Sequence, residues 1–504
     1  MKKNLKIAVV ASEVAPFSKT GGLADVTGSL PKTFSQMKNE VVILTPFYEK
    51  IIDAKKHNLK LVENDFPILL DKKHKIKISL WQGNLTPGLP VCFIGNKKYF
   101  SKHHRLYGSS RENSRFALFD FAVLEVLKKI NFQPDVLHCH DWHAGLIPYL
   151  LKKHPAWSID SFFKNTATVF TIHNLAFQMG RNWWEAQPEK KESGDDLPSL
   201  HSPAMENVNF AKRGILFADA LNTVSEKYAE ELLTPEFGQG LEKYLNRRRQ
   251  DFFGIINGID YSVFNPALDK NIYVNYDWDS LRRKKRNKLA LQKELGLEEK
   301  ADIPLIGLAS RLAEQKGYNL IIETLDTLQK LPLQIVIIAS GGKDGKEYAD
   351  IFKKIAKKYS KKFAFITPYT DEQASKVYAG TDMLLMPSRF EPCGLSPLIS
   401  LRYGSIPIVH ETGGLAETIT NFNPKTGKGN GFVFKSYTKE EFLIALARAL
   451  ENFKYEKIWE HLVWQSMKQS FSWEIPAKKY IALFRKALQN KLKKVKTKNV
   501  NILN

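Results

Sequence analysis

Cysteine is scarce in this chain: Cys92, Cys139 and Cys393 are the only three in 504 residues. Their odd number argues against a disulfide framework, and no pair has the spacing of a metal-binding knuckle. A reducing interior suits that usage. Long hydrophobic runs are missing as well. No stretch of about 18 apolar residues occurs, which removes a membrane span from consideration. The N-terminal apolar run Ile7 to Ala11 is too short for a signal peptide and is closed by Glu13, so it reads as a first strand. A cytoplasmic protein is expected. The chain also lacks a G-x-G-x-x-G segment followed by a ribose-binding acid, and it lacks G-x-x-x-x-G-K-[ST]; these absences disfavour a nicotinamide enzyme and a P-loop NTPase. Acidic residues run out early, since none follows Glu474, while Lys491, Lys493, Lys494, Lys496 and Lys498 crowd the end and read as a frayed basic tail.

The chain is too long for a single core, so two large domains are expected. A hydrophobic fraction of 43% and an aromatic fraction of 12% suffice to pack them and exclude a disordered chain. The net charge of +22, from 75 Lys and Arg against 53 Asp and Glu, is compatible with a phosphorylated substrate, nucleic acid or an anionic surface. Its scatter reads better as decoration of solvated faces. Neither nucleic acid nor membrane is expected as a partner.

Short apolar runs alternate with longer helical patterns, which points to βαβ units and parallel sheets. Strands are expected near 5–12, 40–45, 75–82, 90–95, 135–139, 167–172 and 219–224, with another running into a turn near 254–260. From Arg115 to Ile130 the apolar positions follow helical spacing. After a charged stretch at 268–302, a second series begins at 304–309, 334–339, 363–367, 382–386 and 406–409. Two such series imply two doubly wound domains with a cleft between them and a junction between about 255 and 300. Ligands of open α/β sheets bind beyond the carboxyl ends of the strands. There the sequence collects His138, His140, Asp141 and His143; His173 and Asn174; Asn257 and Asp260; Ser310 and Arg311; Gly341 and Gly342; Pro387 through Gly394; and Gly413 with Gly414.

Three of these segments have the chemistry of anion binding. Lys19-Thr20-Gly21-Gly22 sets a cation beside two glycines, whose missing Cβ atoms let a ligand approach the backbone. Taken alone it is also the composition of an ordinary turn. Arg311 and Lys316 offer a guanidinium that can grip two oxygens and an ammonium that acts as a point charge, as a diphosphate requires; a surface ion pair would use the same residues. Glu391 precedes a helix start at Gly394, where the N–H groups of Gly394, Leu395 and Ser396 can receive phosphate oxygens. Its carboxylate can accept sugar hydroxyls or merely complement the helix dipole, the latter worth about 0.3–1 kcal/mol. His138, His140 and His143 do not match zinc-site spacing. On a strand, His138 and His140 share a face, and an active-site histidine outside any metal site is the better reading.

The ordered strings Lys19 through Val26, His140-Asp141-Trp142-His143-Ala144-Gly145-Leu146, Thr171-Ile172-His173-Asn174-Leu175-Ala176-Phe177-Gln178, Asn222-Thr223-Val224-Ser225, Ile256 through Asp260, Ser310-Arg311-Leu312 with Gln315-Lys316-Gly317, Pro387 through Leu395 and Thr412-Gly413-Gly414-Leu415 resemble the starch/glycogen synthase family of retaining glycosyltransferases. The resemblance reaches to about Leu488. It implies the GT-B architecture, two Rossmann-like doubly wound domains with an interdomain cleft: residues 1–260 on the acceptor side, 261–470 on the nucleotide-sugar side, a helix at 471–490 crossing back, and the tail at 491–504. The implied reaction moves glucose from ADP-glucose to the non-reducing 4-hydroxyl of an α-1,4-glucan such as glycogen, with retention and with no metal or cofactor.

Carried over residue by residue, the resemblance implies that Arg311 and Lys316 hold the diphosphate and stabilise the departing ADP. Glu391 would fix the glucosyl ring, and His143 would lie near the anomeric centre. Lys19 and Gly22, with Gly21 beside them, would contact the donor, as would Asn257 and Tyr369. Cys393 would neighbour the donor site without acting as a nucleophile, next to Gly394, Leu395 and Ser396. Departures from the family pattern fall at Met179 through Trp184, at Pro397 after Ser396, and at His410-Glu411. Trp183 and Trp184 suit either stacking on glucan rings or a buried helix face. Two other readings stay open: a UDP-glucose-dependent transferase, and a catalytically weak glucan-binding or regulatory protein on the same scaffold.

Overall fold

The structure is a computed structural model that describes residues 4–70, 75–186, 197–341 and 345–503. The chain divides into two compact units, one made of residues 1–257 with 473–504, the other of residues 258–472.

The first unit carries β1 (Lys6–Val10), β2 (Glu40–Pro46), β3 (Lys60–Leu69), β4 (Lys75–Thr86), β5 (Leu89–Gly95), β6 (Val136–His140), β7 (Ala167–Ile172), β8 (Ala220–Thr223) and β9 (Phe252–Gly254). They form one sheet in the order β3-β4-β5-β2-β1-β6-β7-β8-β9. From β5 to β9 every pairing is parallel. Strands covered on both faces need no polar alternation, which is why β6 and β7 are buried at every position. The expectation of purely parallel sheets fails at one edge, where β3–β4 and β4–β5 are antiparallel. Only Pro87 and Gly88 separate β4 from β5, with Gly88 at φ +80°; a parallel pairing would need a crossover of about a dozen residues.

The helix Glu474–Leu503 belongs to this unit. Trp473, Ala477, Tyr480, Phe484 and Ala487 recur at helical spacing and are buried. Tyr480 and Phe484 set their rings against Phe34 at 6.2 and 5.4 Å, and Asn222 Nδ2 donates to the Tyr480 hydroxyl at 3.1 Å. The lysine-rich end, expected to fray, instead continues this helix to Leu503; lysine is a good helix former.

The second unit holds β10 (Leu305–Arg311), β11 (Gln334–Ser340), β12 (Phe363–Ile366), β13 (Met383–Met386), β14 (Ile406–His410) and β15 (Phe432–Phe434). Their order, β12-β11-β10-β13-β14-β15, is the doubly wound arrangement 3-2-1-4-5-6, and all pairings are parallel. The strand order reverses between β10 and β13, and in the first unit between β1 and β6. Those reversals open a crevice beyond the carboxyl ends of the central strands. Among the described residues, no helix is long and apolar enough to cross a membrane.

Candidate active site

In the first unit, the chain leaves β1 and enters the Lys19–Gly22 turn, which opens the short helix Gly22–Thr27. Glu13 organises that turn. Its carboxylate accepts the Thr20 N–H at 2.5 Å and the Thr20 hydroxyl at 3.0 Å, the Gly21 N–H, and the Tyr107 hydroxyl at 3.1 Å. Lys19 pairs with Asp25 at 2.9 Å. Gly21 is extended, with φ −160°, and a Cβ there would meet no protein atom within 4 Å. The missing side chain therefore leaves room in front of the turn and relieves no clash.

Burial outweighs the hydrogen bonds and pushes the Glu13 carboxyl up to about 7 from 4.5. The folded protein thus binds more protons than the unfolded chain between those values, and its stability falls as the pH rises through them. Glu13→Gln cannot ionise. It is expected to gain on the order of 3 kcal/mol relative to the wild type between about pH 4.5 and pH 8. Chemical denaturation at both pH values reads the difference, and parallel pH dependence of the two proteins would contradict it.

Beyond β6 the backbone takes an unusual path. Asp141 sits at φ 56°, ψ 179°, a region nearly reserved for glycine that costs about 1–3 kcal/mol and collects at functional sites. Its carboxylate accepts the His173 N–H at 2.7 Å and the Asn174 N–H, and burial raises it to about 7. The turn delivers His143, which is 6% exposed, among the rings of Trp142, Phe116 and Tyr107 at 4.1, 4.5 and 4.9 Å. Tyr107 therefore touches both His143 and the carboxylate that holds the Lys19–Gly22 turn.

Four histidines gather at this edge. His138 and His140 share a face as strand alternation requires, with ring centroids 4.0 Å apart. His140 Nδ1 lies 2.9 Å from His173 Nε2, and His138 Nε2 lies 2.7 Å from the Thr171 hydroxyl. Burial holds all four neutral, taking His138 and His173 down to about 3 and His140 and His143 well below the usual range. His143 Nδ1 and Asn257 Oδ1 are buried without a hydrogen-bond partner among the described residues. No three His, Cys, Asp or Glu side chains among those residues are grouped to hold a metal ion.

In the second unit, Arg311 ends β10 on its exposed side. The following turn, Glu314–Lys316, ends in Gly317 at φ +73°. A Cβ on Gly317 would run into the Pro387 carbonyl oxygen, so glycine alone lets this turn lie against the loop after β13. That contact is then fastened. The Arg389 N–H donates to the Gln315 carbonyl at 2.9 Å, and Gln315 Nε2 to the Phe390 carbonyl at 3.2 Å. Lys316 Nζ meets Glu391 Oε2 at 2.6 Å, and the Ser388 hydroxyl donates to the same oxygen at 3.0 Å.

Downstream, Cys393 is buried, and Gly394 at φ +82° caps the helix Leu395–Arg402, whose first turn has no side-chain cap. A Cβ on Gly394 would stand 2.7 Å from Leu415 Cδ2, and one on Gly414 would run into the Cys393 carbonyl oxygen. The Gly414 N–H donates to the Glu391 carbonyl at 3.0 Å. The glycines of both loops thus bring Lys316, Glu391 and the Gly394–Ser396 helix start to one edge of the sheet. Tyr369, half-buried after β12, lies farther along it, its N–H tied to the Ser340 hydroxyl at 2.9 Å. Gly342 lies outside the described residues.

From sequence, Asp141 and His173 fall at the ligand-binding strand ends without an assigned role, Glu13 only closes the first apolar run, and Tyr107 carries no signal. Their partners lie as far as 94 residues away, so no local pattern marks them.

A family model described as the starch synthase catalytic domain matches residues 6–247, and one described as glycosyl transferases group 1 matches residues 291–461. The chain is 42% identical to a glycogen synthase of Desulforudis audaxviator over 96% of its own length and 97% of that protein. It is 41% identical to one of Pseudothermotoga lettingae over 97% and 100%. The solved catalytic domain of starch synthase IV from Arabidopsis thaliana, bound to ADP and acarbose, superposes with a TM-score of 0.85 at 31% identity, covering 96% of this chain and 100% of that one. With two Rossmann-like units of the GT-B class and relatives matched over nearly their whole length, this chain belongs to the starch and glycogen synthase family of glycosyltransferases.

Proposed function

We propose that the protein moves glucose from ADP-glucose to the non-reducing 4-hydroxyl of an α-1,4-glucan, with retention of the α configuration. The observation that carries this reading is the meeting of Lys316, Glu391 and the uncapped helix start at Gly394 beside the end of β10, where Arg311 stands. A sugar nucleotide needs cations for its diphosphate and an acceptor for its hydroxyls, and one sheet edge holds both. The relatives' names and the ADP and acarbose in the starch synthase structure support the choice of donor and acceptor.

In this reading Arg311 and Lys316 act on the diphosphate as its charge grows during cleavage, where preorganised cations are worth most. Glu391 accepts a glucosyl hydroxyl at Oε1 while Oε2 stays with Ser388. The N–H groups of Gly394, Leu395 and Ser396 receive phosphate oxygens, with Cys393 as a packing neighbour. Lys19, Gly21, Gly22, Asn257 and Tyr369 supply further donor contacts.

For the histidine beside the anomeric carbon, His143 is the residue expected from sequence. A second reading favours His173, because His143 is enclosed by three rings while His173 is only half-buried and stands at the end of β7. A larger loss of turnover in His173→Ala than in His143→Ala, both folded, would decide for His173.

Incubation with labelled ADP-glucose and glycogen tests the whole reading. Label is expected in α-1,4 linkages, with ADP-glucose outcompeting UDP-glucose. Glycogen binding without transfer would favour a binding or regulatory protein, and preference for UDP-glucose would move the chain to the alternative donor.

A further inference from the structure

The stretch after β7 departs from the family pattern, and its geometry is unusual for an exposed aromatic. Gln178 is fixed three ways: its carbonyl accepts the Ala211 N–H at 3.1 Å, Nε2 donates to the Gln239 carbonyl at 2.8 Å, and Oε1 accepts from Asn209 Nδ2 at 2.6 Å. The Gly180 N–H donates to Asn113 Oδ1 at 2.7 Å, and a Cβ on Gly180 would run into Glu112. The chain then makes a single turn of 3₁₀ helix, Trp183–Glu185, closed by Asn182 Nδ2 on Glu185 Oε1 at 2.8 Å. Trp183 lies over Gly240, 3.1 Å from where a Cβ would stand. Trp184 meets Trp183 edge to face, at 5.6 Å and 84°, and is itself 62% exposed. For Trp184 a buried helix face, one of the two explanations open from sequence, is thereby excluded.

We propose that Trp184 is a stacking platform for a glucosyl unit of the acceptor, with Trp183 as its anchor. Single exposed apolar side chains are common on protein surfaces, so it is the fixed setting of Trp184, and not its exposure alone, that points to a ligand. Here the backbone on its N-terminal side is pinned at Gln178 and Gly180 and the neighbouring indole is wedged on Gly240, so one face-bearing ring is presented at a fixed place. Its size selects the ligand. One indole offers about 150–250 Å², far below the roughly 800 Å² per partner of a stable protein interface. It matches the apolar C–H face of a single pyranose ring, and holding the indole in advance removes the ordering cost from binding. Phe177, 51% exposed on the same stretch, offers a second ring between β7 and Trp184. The position, beyond the carboxyl end of β7, suits an acceptor subsite.

This inference rests on the reading that the acceptor is an α-glucan, and the experiment separates the two. Maltoheptaose is titrated into the full-length protein without donor, by calorimetry, for the wild type, Trp184→Ala and Trp184→Phe. The KM values for maltoheptaose and for ADP-glucose are then measured. Trp184→Ala is expected to weaken maltoheptaose binding roughly three- to tenfold and to raise its KM to match, while Trp184→Phe keeps most of the affinity. The KM for ADP-glucose should not move, which shows that the fold is intact. Wild-type affinity in Trp184→Ala overturns the platform and leaves the glucan reading standing. Failure of the wild type to bind maltoheptaose defeats both.

Discussion

Glu391→Ala and Lys316→Ala are each expected to lower turnover at least tenfold, about 1.4 kcal/mol of barrier. The two side chains meet at 2.6 Å and are only 9% and 15% exposed, so they form a buried ion pair. Removing the carboxylate takes away the proposed hydroxyl acceptor and also releases the ammonium that must face the diphosphate. Removing the ammonium withdraws a cation from the leaving group and leaves a buried carboxylate without its counter-charge. Groups that act as a unit lose little more when both are removed, so the double variant should fall only slightly below either single one. Steady-state kinetics at saturating glucan measure all three, and near-normal turnover in both single variants would overturn the assignment.

Gly317→Ala is expected to cost about 2–4 kcal/mol of stability, through a left-handed backbone at a residue with a Cβ and a clash with the Pro387 carbonyl. It should also lower turnover more than its stability loss explains, because that contact sets Lys316 beside Glu391. Denaturation midpoints together with kcat at a temperature where the variant is folded separate the two effects. A Gly317→Ala protein with unchanged stability would show that the 313–317 turn is free to move away from the loop after β13.

The framework of both units was legible because parallel strands covered on both faces announce themselves as continuous apolar runs, as in Ile7 to Val10 and Leu305 to Ala309. β3 was missed for the opposite reason. Lys60–Leu69 is an edge strand with most positions exposed, so it carries charge and shows no clear apolar pattern. The helix start at Gly394 and the shared face of His138 and His140 followed from local rules. The Lys316–Glu391 pair spans 75 residues, and the enclosure of His143 depends on Tyr107 and Phe116 from elsewhere in the chain. Such contacts are set by topology and leave no local trace. The Asp141 backbone is also invisible in sequence, since aspartate is ordinary in a turn and only its φ and ψ show the strain.

The most direct test is a crystal structure with ADP bound. The account predicts the diphosphate within hydrogen-bonding distance, about 2.7–3.2 Å, of Arg311 and Lys316 and over the N–H groups of Gly394 to Ser396. A diphosphate bound elsewhere, with the Arg311 and Lys316 side chains directed into bulk solvent, would contradict it.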